Sequence, residues 1–207
     1  MSNTKIITLN KNAMNQNSYI YCDINKNICV VIDPGYNAQA INLAVDDKFE
    51  IAAILLTHGH YDHIMETAQI SQSCQIYSHE DELQVLKDPQ INLSSNTETP
   101  IKFIPHKFFK DGEKFTFGGV TLTVLHIPGH TPGGACFYDE KNNVVFTGDS
   151  LFKAAIGYAH FPLSNEKLLV TSIKQKLLTL PPNTVVYPGH DEPTTIGEEL
   201  QFNPFLQ

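Results

Sequence analysis

Short apolar stretches separated by polar turns make up most of the chain, and they are too short for long helices. The first three stretches, residues 5–9, 18–23 and 27–33, are rich in β-branched and aromatic residues and predict an antiparallel meander. A later series, residues 113–117, 120–127, 133–138 and 143–146, predicts a second sheet that starts with a hairpin around Gly118 and Gly119. Two packed sheets are therefore expected.

Helical spacing of apolar residues occurs between these strands. Residues 37–46 predict a helix that packs on a sheet, and Ser164 is expected to cap a second helix that Pro181 and Pro182 stop. A last short helix should begin at Thr195, where Glu198 completes a capping box. The long polar stretch 88–112 predicts a loop, and we expect it to lie near the functional edge of the fold.

The sequence Thr-His-Gly-His-Tyr-Asp-His at residues 57–63 directly follows the apolar run 51–56, which has the length of a buried strand. His58 and His60 can aim at one point, and Asp62 and His63 at a second point beside it. Imidazoles with a lone carboxylate suit zinc, iron or manganese ions that keep a water. The alternative is a solvated histidine-rich loop, which four potential ligands within six residues disfavour.

Three more candidate ligands stand in glycine-containing turns after apolar stretches. His130 lies in Pro-Gly-His-Thr-Pro-Gly, Asp149 in Thr-Gly-Asp-Ser, and His190 in Tyr-Pro-Gly-His-Asp-Glu-Pro. If these strand ends converge with the first motif, seven side chains can surround two metal ions.

This ordered set of motifs, together with Ile-Asp-Pro-Gly at residues 32–35, resembles the metallo-β-lactamase superfamily and, within it, the glyoxalase II-like hydrolases. The resemblance implies an α/β (α+β) fold, a four-layer αββα sandwich with the metals at one edge between the sheets. We expect residues 1–207 to form a single domain without the C-terminal helical domain that helps glyoxalase II bind glutathione.

The resemblance also implies a role for each matching residue. His58, His60 and His130 would hold the first metal; Asp62, His63 and His190 the second; Asp149 would bridge both; and Asp33 would support the site from behind. The catalytic carboxylates would be Asp62 and Asp149. Two divalent ions are implied, zinc foremost, with iron or manganese as alternatives. A hydroxide between the ions would attack a thioester such as S-lactoylglutathione.

One segment departs from the family pattern. Related short hydrolases commonly carry a G-R-[ST]-D segment after the bridging Asp, whereas this chain reads Gly-Tyr-Ala-His at residues 157–160. We therefore expect the wall of the substrate cleft to differ from that of the related short hydrolases. Lys153, Tyr158 and His160 are the candidates for substrate contact.

The composition of the chain limits the classes of partner that it can bind. The chain has 14 basic residues, all of them lysine, and 22 acidic residues, for a net charge of -8. This balance argues against a nucleic-acid partner, and the absence of arginine removes the usual clamp for carboxylates. Neither a targeting segment nor a membrane-spanning run is visible, and the four cysteines form no C-x-x-C pair. We expect buried free thiols, a cytoplasmic location and a small-molecule substrate.

Other functions fit parts of the same pattern. A persulfide dioxygenase would use a single iron held by residues that match His58, His130 and Asp149. A hydrolase of another small ester or thioester would use the same ligands. A serine esterase is suggested by Gly-Asp-Ser-Leu at residues 148–151, but its Asp is already needed as a bridge. A metal-binding domain without activity is the non-enzymatic alternative.

Overall fold

The first sheet has six strands that follow one another in space in chain order. A computed structural model describes residues 3–10, 12–70 and 74–207. The strands are β1 (Thr4–Leu9), β2 (Ser18–Asp23), β3 (Ile28–Ile32), β4 (Glu50–Leu55), β5 (Gln75–His79) and β6 (Lys107–Phe109). The first three pair antiparallel, as the sequence predicts, whereas β3 to β6 are parallel. The carboxyl ends of β3, β4 and β5 therefore lie at the same edge.

The second sheet also has six strands, in the spatial order β14, β13, β10, β9, β8, β7. They are β7 (Lys114–Phe117), β8 (Val120–His126), β9 (Ala135–Asp139), β10 (Val144–Gly148), β13 (Val185–Pro188) and β14 (Thr194–Thr195). A small hairpin of β11 (Leu151–Phe152) and β12 (Ala155–Ile156) lies between β10 and β13 in the chain. Strands β10 and β13 are parallel, so both end at the same edge.

Alternation along each strand divides its side chains between two apolar layers. On β2, Tyr19 and Tyr21 enter the core between the sheets, while Ile20 and Cys22 pack on the outer face. Phe137 and Phe146 meet these tyrosines from the second sheet. Strands that are buried on both faces lack the apolar–polar alternation of a half-exposed strand, which explains the continuous apolar runs in the sequence.

Helices cover both outer faces. On the first sheet lie α1 (Ala38–Val45), α2 (Tyr61–Ile64), α3 (Thr67–Ile70) and α4 (Leu83–Lys87); on the second lie α5 (Glu166–Ser172), which continues as a π-helix at Ile173–Leu177, and α6 (Ile196–Phe202). The layers run helix, sheet, sheet, helix. The predicted four-layer αββα sandwich is confirmed.

Local details correct some expectations. Asn165, not Ser164, caps α5 by accepting from the Leu168 N–H group, and Ser164 instead donates to the His130 carbonyl. Thr195 caps α6 by accepting from the Glu198 N–H group, as predicted.

The stretch predicted as a polar loop, residues 88–112, reaches the functional edge, but Lys107–Phe109 within it form strand β6 beside β5 and are not loop. The Asn92 carbonyl accepts from the Tyr61 N–H group, so the loop is held against the helix that begins the first motif. Leu93 follows in a left-handed conformation with φ 68. The expected position of this loop is confirmed at these two residues.

The cysteines and the helices bear on the remaining expectations. All four cysteines are free; Cys22, Cys29 and Cys136 are buried, and Cys74 is half-buried. Within residues 3–10, 12–70 and 74–207, no helix combines the length and the apolar character that a membrane crossing requires.

Candidate metal centre

Four strand ends from two sheets deliver the predicted ligands to one edge of the sandwich. His58 and His60 follow β4 in the first sheet. His130 follows β8, Asp149 follows β10 and His190 follows β13, all in the second sheet. The seven predicted ligand side chains therefore come together although up to 132 positions separate them in sequence. Their role as metal ligands stays a prediction.

Three imidazoles form the first group. Ligand atoms of His58, His60 and His130 all lie within 4.8 Å of one another, and all three residues are buried. The closest approach joins His60 Nδ1 and His130 Nε2 at 2.9 Å. Three nitrogen donors so close together are a donor set that zinc and iron accept.

Asp62, His63 and His190 form the second group within the same limit. His63 Nε2 lies 3.3 Å from His190 Nε2, and His190 Nε2 lies 3.2 Å from Asp62 Oδ2. Two ring nitrogens that face each other across 3.3 Å cannot both carry a proton comfortably, whereas a cation between them would satisfy both.

Asp149 stands between the two groups. Its Oδ1 lies 3.3 Å from His63 Nε2, and its Oδ2 lies 3.6 Å from both His130 Nε2 and His190 Nε2. Its Oδ1 faces the second group and its Oδ2 lies equally far from a histidine of each group, so the carboxylate has the position that a bridging ligand requires.

Outer hydrogen bonds orient the rings so that Nε2 atoms face the centre. The Nδ1 atoms of His63, His130 and His190 lie 2.9, 2.8 and 3.0 Å from Asp33 Oδ2, the Tyr158 carbonyl and the Met14 carbonyl. Each Nδ1–H group therefore donates outward, so that Nε2 is the ring nitrogen that faces the centre.

Buried polar atoms without partners test whether metal ions fit this site. In the described part of the chain, His58 Nε2 and Asp149 Oδ1 are buried and have no hydrogen-bond partner. Unpaired buried polar atoms destabilise a fold, and two on predicted ligand residues point to a missing ligand. The residues present therefore fit divalent metal ions.

Burial keeps the first group neutral. Desolvation, with the nearby charge of His63, holds the pKa of His58 well below its usual value, and desolvation with the charge of His130 lowers the pKa of His60 to about 3. Desolvation also lowers the pKa of His130. Neutral imidazole is the form that binds metal, so this group needs no deprotonation at neutral pH.

The second group behaves oppositely. Burial lowers the pKa of His63, but Asp149 and Asp62 outweigh it and hold that pKa well above its usual value. Burial likewise acts against His190, whose pKa is raised by its hydrogen bond to Asp62 and by the charge of Asp149. Protons therefore occupy this group in the metal-free protein, and metal binding must displace them.

Asp33 supports the centre from behind. It follows β3 with φ 49, and its carboxylate accepts from the Thr57 N–H group at 2.7 Å, the Thr57 hydroxyl at 2.5 Å and His63 Nδ1 at 2.9 Å. One buried side chain therefore orients both the start of the first motif and a predicted ligand. The sequence assigned this supporting role by resemblance alone.

Glu82 is a residue of the site that the sequence reasoning missed. Its buried carboxylate accepts from the Gly59 N–H group at 2.8 Å and from the Gly133 N–H group at 2.7 Å. These glycines belong to the two motifs that carry His60 and His130, so Glu82 ties the motifs together. The signal in the sequence that could have indicated this role is the position of Glu82 directly before the apolar residues Leu83, Val85 and Leu86 of α4, where a solvent-exposed acid is not expected.

An apolar cleft of about 470 Å³ opens over the centre. His60, Asp62, His130, Asp149 and His190 form its floor. Its walls come from seven other residues: Met14, Tyr61, Leu93, Phe152, Tyr158, Phe161 and Asp191. A substrate in the cleft would meet both predicted metal groups.

The three candidates for substrate contact have different positions. Tyr158 lines the cleft. Lys153 is not among the lining residues that the structure describes, and its Nζ lies 2.7 Å from Glu192 Oε1. His160 also lies outside the described lining, with Nε2 3.7 Å from Glu166 Oε2. Of the three, Tyr158 is the one that lines the cleft, and its contact with substrate stays a prediction.

A second cluster of His79, Asp81 and His126 is of another kind. The position of His79 before the acidic residues Glu80 and Asp81 predicts an exposed residue at a helix start; His79 does precede a helical turn, but it is buried. His79 Nδ1 accepts from the Asp81 N–H group, and His126 Nε2 contacts the Pro132 carbonyl. The two rings stack with centroids 3.9 Å apart, which explains the burial of His79.

Comparison with known proteins agrees with the fold. A family model described as the metallo-beta-lactamase superfamily matches residues 12–190. Hydroxyacylglutathione hydrolase GloC of Haemophilus influenzae is 34% identical over 200 residues, covering 94% of each chain. Among solved structures, BLEG-1 B3 metallo-beta-lactamase has a TM-score of 0.90 at 35% identity, covering 98% of this chain and 100% of that chain. TTHA1623 in a di-iron-bound form has a TM-score of 0.83 at 33% identity, with coverage of 98% and 100%.

The sandwich and its histidine–carboxylate groups together define a metallohydrolase. The chain belongs to the metallo-β-lactamase superfamily.

Proposed function

We propose that the protein is a two-metal hydrolase that cleaves thioesters, S-lactoylglutathione being the first substrate to test. The observation that carries the proposal is the pair of ligand groups that share Asp149. The likeness to hydroxyacylglutathione hydrolase GloC supports the thioester class. The four free cysteines support a reducing compartment, and we infer that the protein is cytoplasmic.

Each of the seven side chains has a defined part in this proposal. His58, His60 and His130 would hold one ion, Asp62, His63 and His190 would hold the other, and Asp149 would touch both. Divalent ions in such a site supply an acidified water as nucleophile and polarise the substrate carbonyl. Zinc, iron and manganese all suit this donor set, and the di-iron form of TTHA1623 supports iron as an alternative to zinc.

The remaining residues position these groups. Asp33 holds His63 with Nε2 toward the centre, and the Tyr158 carbonyl does the same for His130. Phe161 packs edge-on against His60 and His130, with ring centroids 5.2 and 6.0 Å away, and keeps water from that side. A thiol leaves with a pKa near 8.5, so it needs little help from an acid.

A metal analysis paired with an S-lactoylglutathione assay tests the proposal. Protein expressed without added metal should carry two ions per chain and release the thiol, and Asp149→Asn should lose both properties. His106→Asn is the matched control, because exposed His106 accepts only from the Ile76 N–H group. Fully metallated protein that hydrolyses no thioester would overturn the proposed activity. A single iron with oxygen uptake on a persulfide would favour the dioxygenase instead.

A further inference from the structure

The cleft above the metal centre is walled by apolar and aromatic side chains. Tyr158 is 59% exposed and packs on Phe161 with ring centroids 4.9 Å apart, so the two rings form one continuous wall. Phe152 stands at the opposite side beside His190, with centroids 6.1 Å apart, and Met14 is 44% exposed at the rim. Exposed rings of this kind around a polar floor mark the place where the non-reacting part of a substrate binds.

Positive side chains other than histidine are missing from this wall. None of the lining residues that the structure describes is a lysine, and the chain contains no arginine. The lysine next to Phe152 in sequence, Lys153, is paired with Glu192 at 2.7 Å. A carboxylate on the substrate would therefore meet no free cation here.

Negative charge stands at the mouth instead. Asp191 is exposed and lines the cleft directly after His190. Its neighbour Glu192 is paired with Lys153 at 2.7 Å, and Glu166 lies 3.7 Å from His160 Nε2, so these two acids contribute less negative charge. Asp191 therefore repels an anionic arm that leaves the metal centre beside it.

We infer that the thiol-bearing arm of the substrate is apolar and uncharged, so that neutral thioesters are preferred over those of glutathione, whose arm carries two carboxylates. This inference rests on the proposed thioester hydrolysis. The acyl carbonyl would lie over the metal floor while the arm lies along Tyr158 and Phe161. Both classes of thioester should react, and the arm should change their kcat/KM.

Two probes that differ only at the two carboxylates test the inference. S-acetylglutathione and its dimethyl ester share the acyl group, the leaving thiol and the α-ammonium group, so any difference reports the esterification of the two carboxylates. We expect kcat/KM of the fully metallated protein to be about tenfold higher for the diester, and the gap to narrow as salt is raised.

Two variants locate the effect. Asp191→Asn removes the charge at the mouth and keeps a residue type that tolerates the φ of 61 found there, so the ratio of the two kcat/KM values should fall about threefold. Asp47→Asn is the control, because Asp47 is an exposed acid just before the start of β4, whereas the ligands follow the end of that strand. This variant should leave the ratio of the two kcat/KM values unchanged. Tyr158→Ala should raise KM for the diester with little change in kcat. Tyr158→Phe should have the KM of the wild type, because it keeps the aromatic ring.

The outcomes are separable. Equal kcat/KM for the two probes, or a preference for S-acetylglutathione, would overturn the inference while leaving thioester hydrolysis intact. A preference for the diester that Asp191→Asn and Tyr158→Ala both leave untouched would also overturn it, because the cleft wall would then not be its source. Failure to hydrolyse either probe would instead remove the proposed function.

Discussion

Replacing Glu82 by glutamine probes the contact that ties two ligand motifs together. The carboxylate is buried, and it accepts from the N–H groups of Gly59 and Gly133 at 2.8 and 2.7 Å. Glutamine keeps the size of the side chain, but its NH₂ group must face one of these two donors. One buried N–H group is then left without an acceptor.

The effect on stability should depend on pH. Burial raises the pKa of Glu82 from its usual 4.5 to about 7, against the lowering effect of its hydrogen bonds. The unfolded chain releases this proton near 4.5 and the folded chain only near 7, so wild-type stability falls as pH rises through that interval. At ~1.4 kcal/mol for each pKa unit, the loss is about 3 kcal/mol.

The Glu82→Gln variant lacks this titration. We expect it to be less stable than wild type by about 1–3 kcal/mol near pH 5, the cost of one unsatisfied buried N–H group. Near pH 8 the wild type has lost about 3 kcal/mol, so the variant should be equally stable or more stable. Urea unfolding of both proteins in the presence of a chelator measures the difference.

The control and the refuting result are clear. Glu80→Gln changes an exposed carboxylate that lies 3.7 Å from Lys110, and it should alter the free energy of unfolding little at either pH. If the Glu82→Gln and wild-type curves run parallel from pH ~5 to ~8, the carboxyl does not titrate within this interval and the reasoning is refuted.

Three further changes act on the centre itself. Asp33→Asn should weaken metal binding about 10–100-fold, because it changes the acceptor of the His63 Nδ1–H group. Titration with zinc against a chelating dye measures the affinity. An unchanged affinity would contradict the orienting role of Asp33. Gly189→Ala should abolish metal uptake while the protein still folds, because the new Cβ would overlap Asp149 Oδ1 and lie 2.7 Å from His63 Cε1. A normal metal content of the variant would refute this packing argument. Chelation of wild type should lower Tm by several degrees, because metal binds the folded state only, and an unchanged Tm would argue against resident ions.

Several features of this fold could be predicted before any coordinates. Residues 18–23 combine aromatic and β-branched residues, and they form β2 with the predicted bounds. The Thr195 capping box and each single ligand motif were equally local, because each depends on neighbours within a few positions. By contrast, Ser164 and Asn165 are both good helix caps in sequence, and only the carbonyl of His130, 34 positions away, decides between them.

The sequence alone determined strands such as β2, the donor types and the family, because periodicity and short motifs extend over a few neighbouring residues. The tertiary structure decided the rest. It joined Glu82 to Gly59 and Gly133, placed Tyr158 on the cleft wall and turned Lys153 toward Glu192. These contacts depend on how two sheets pack and where loops cross between them, and such distances have no counterpart along the chain.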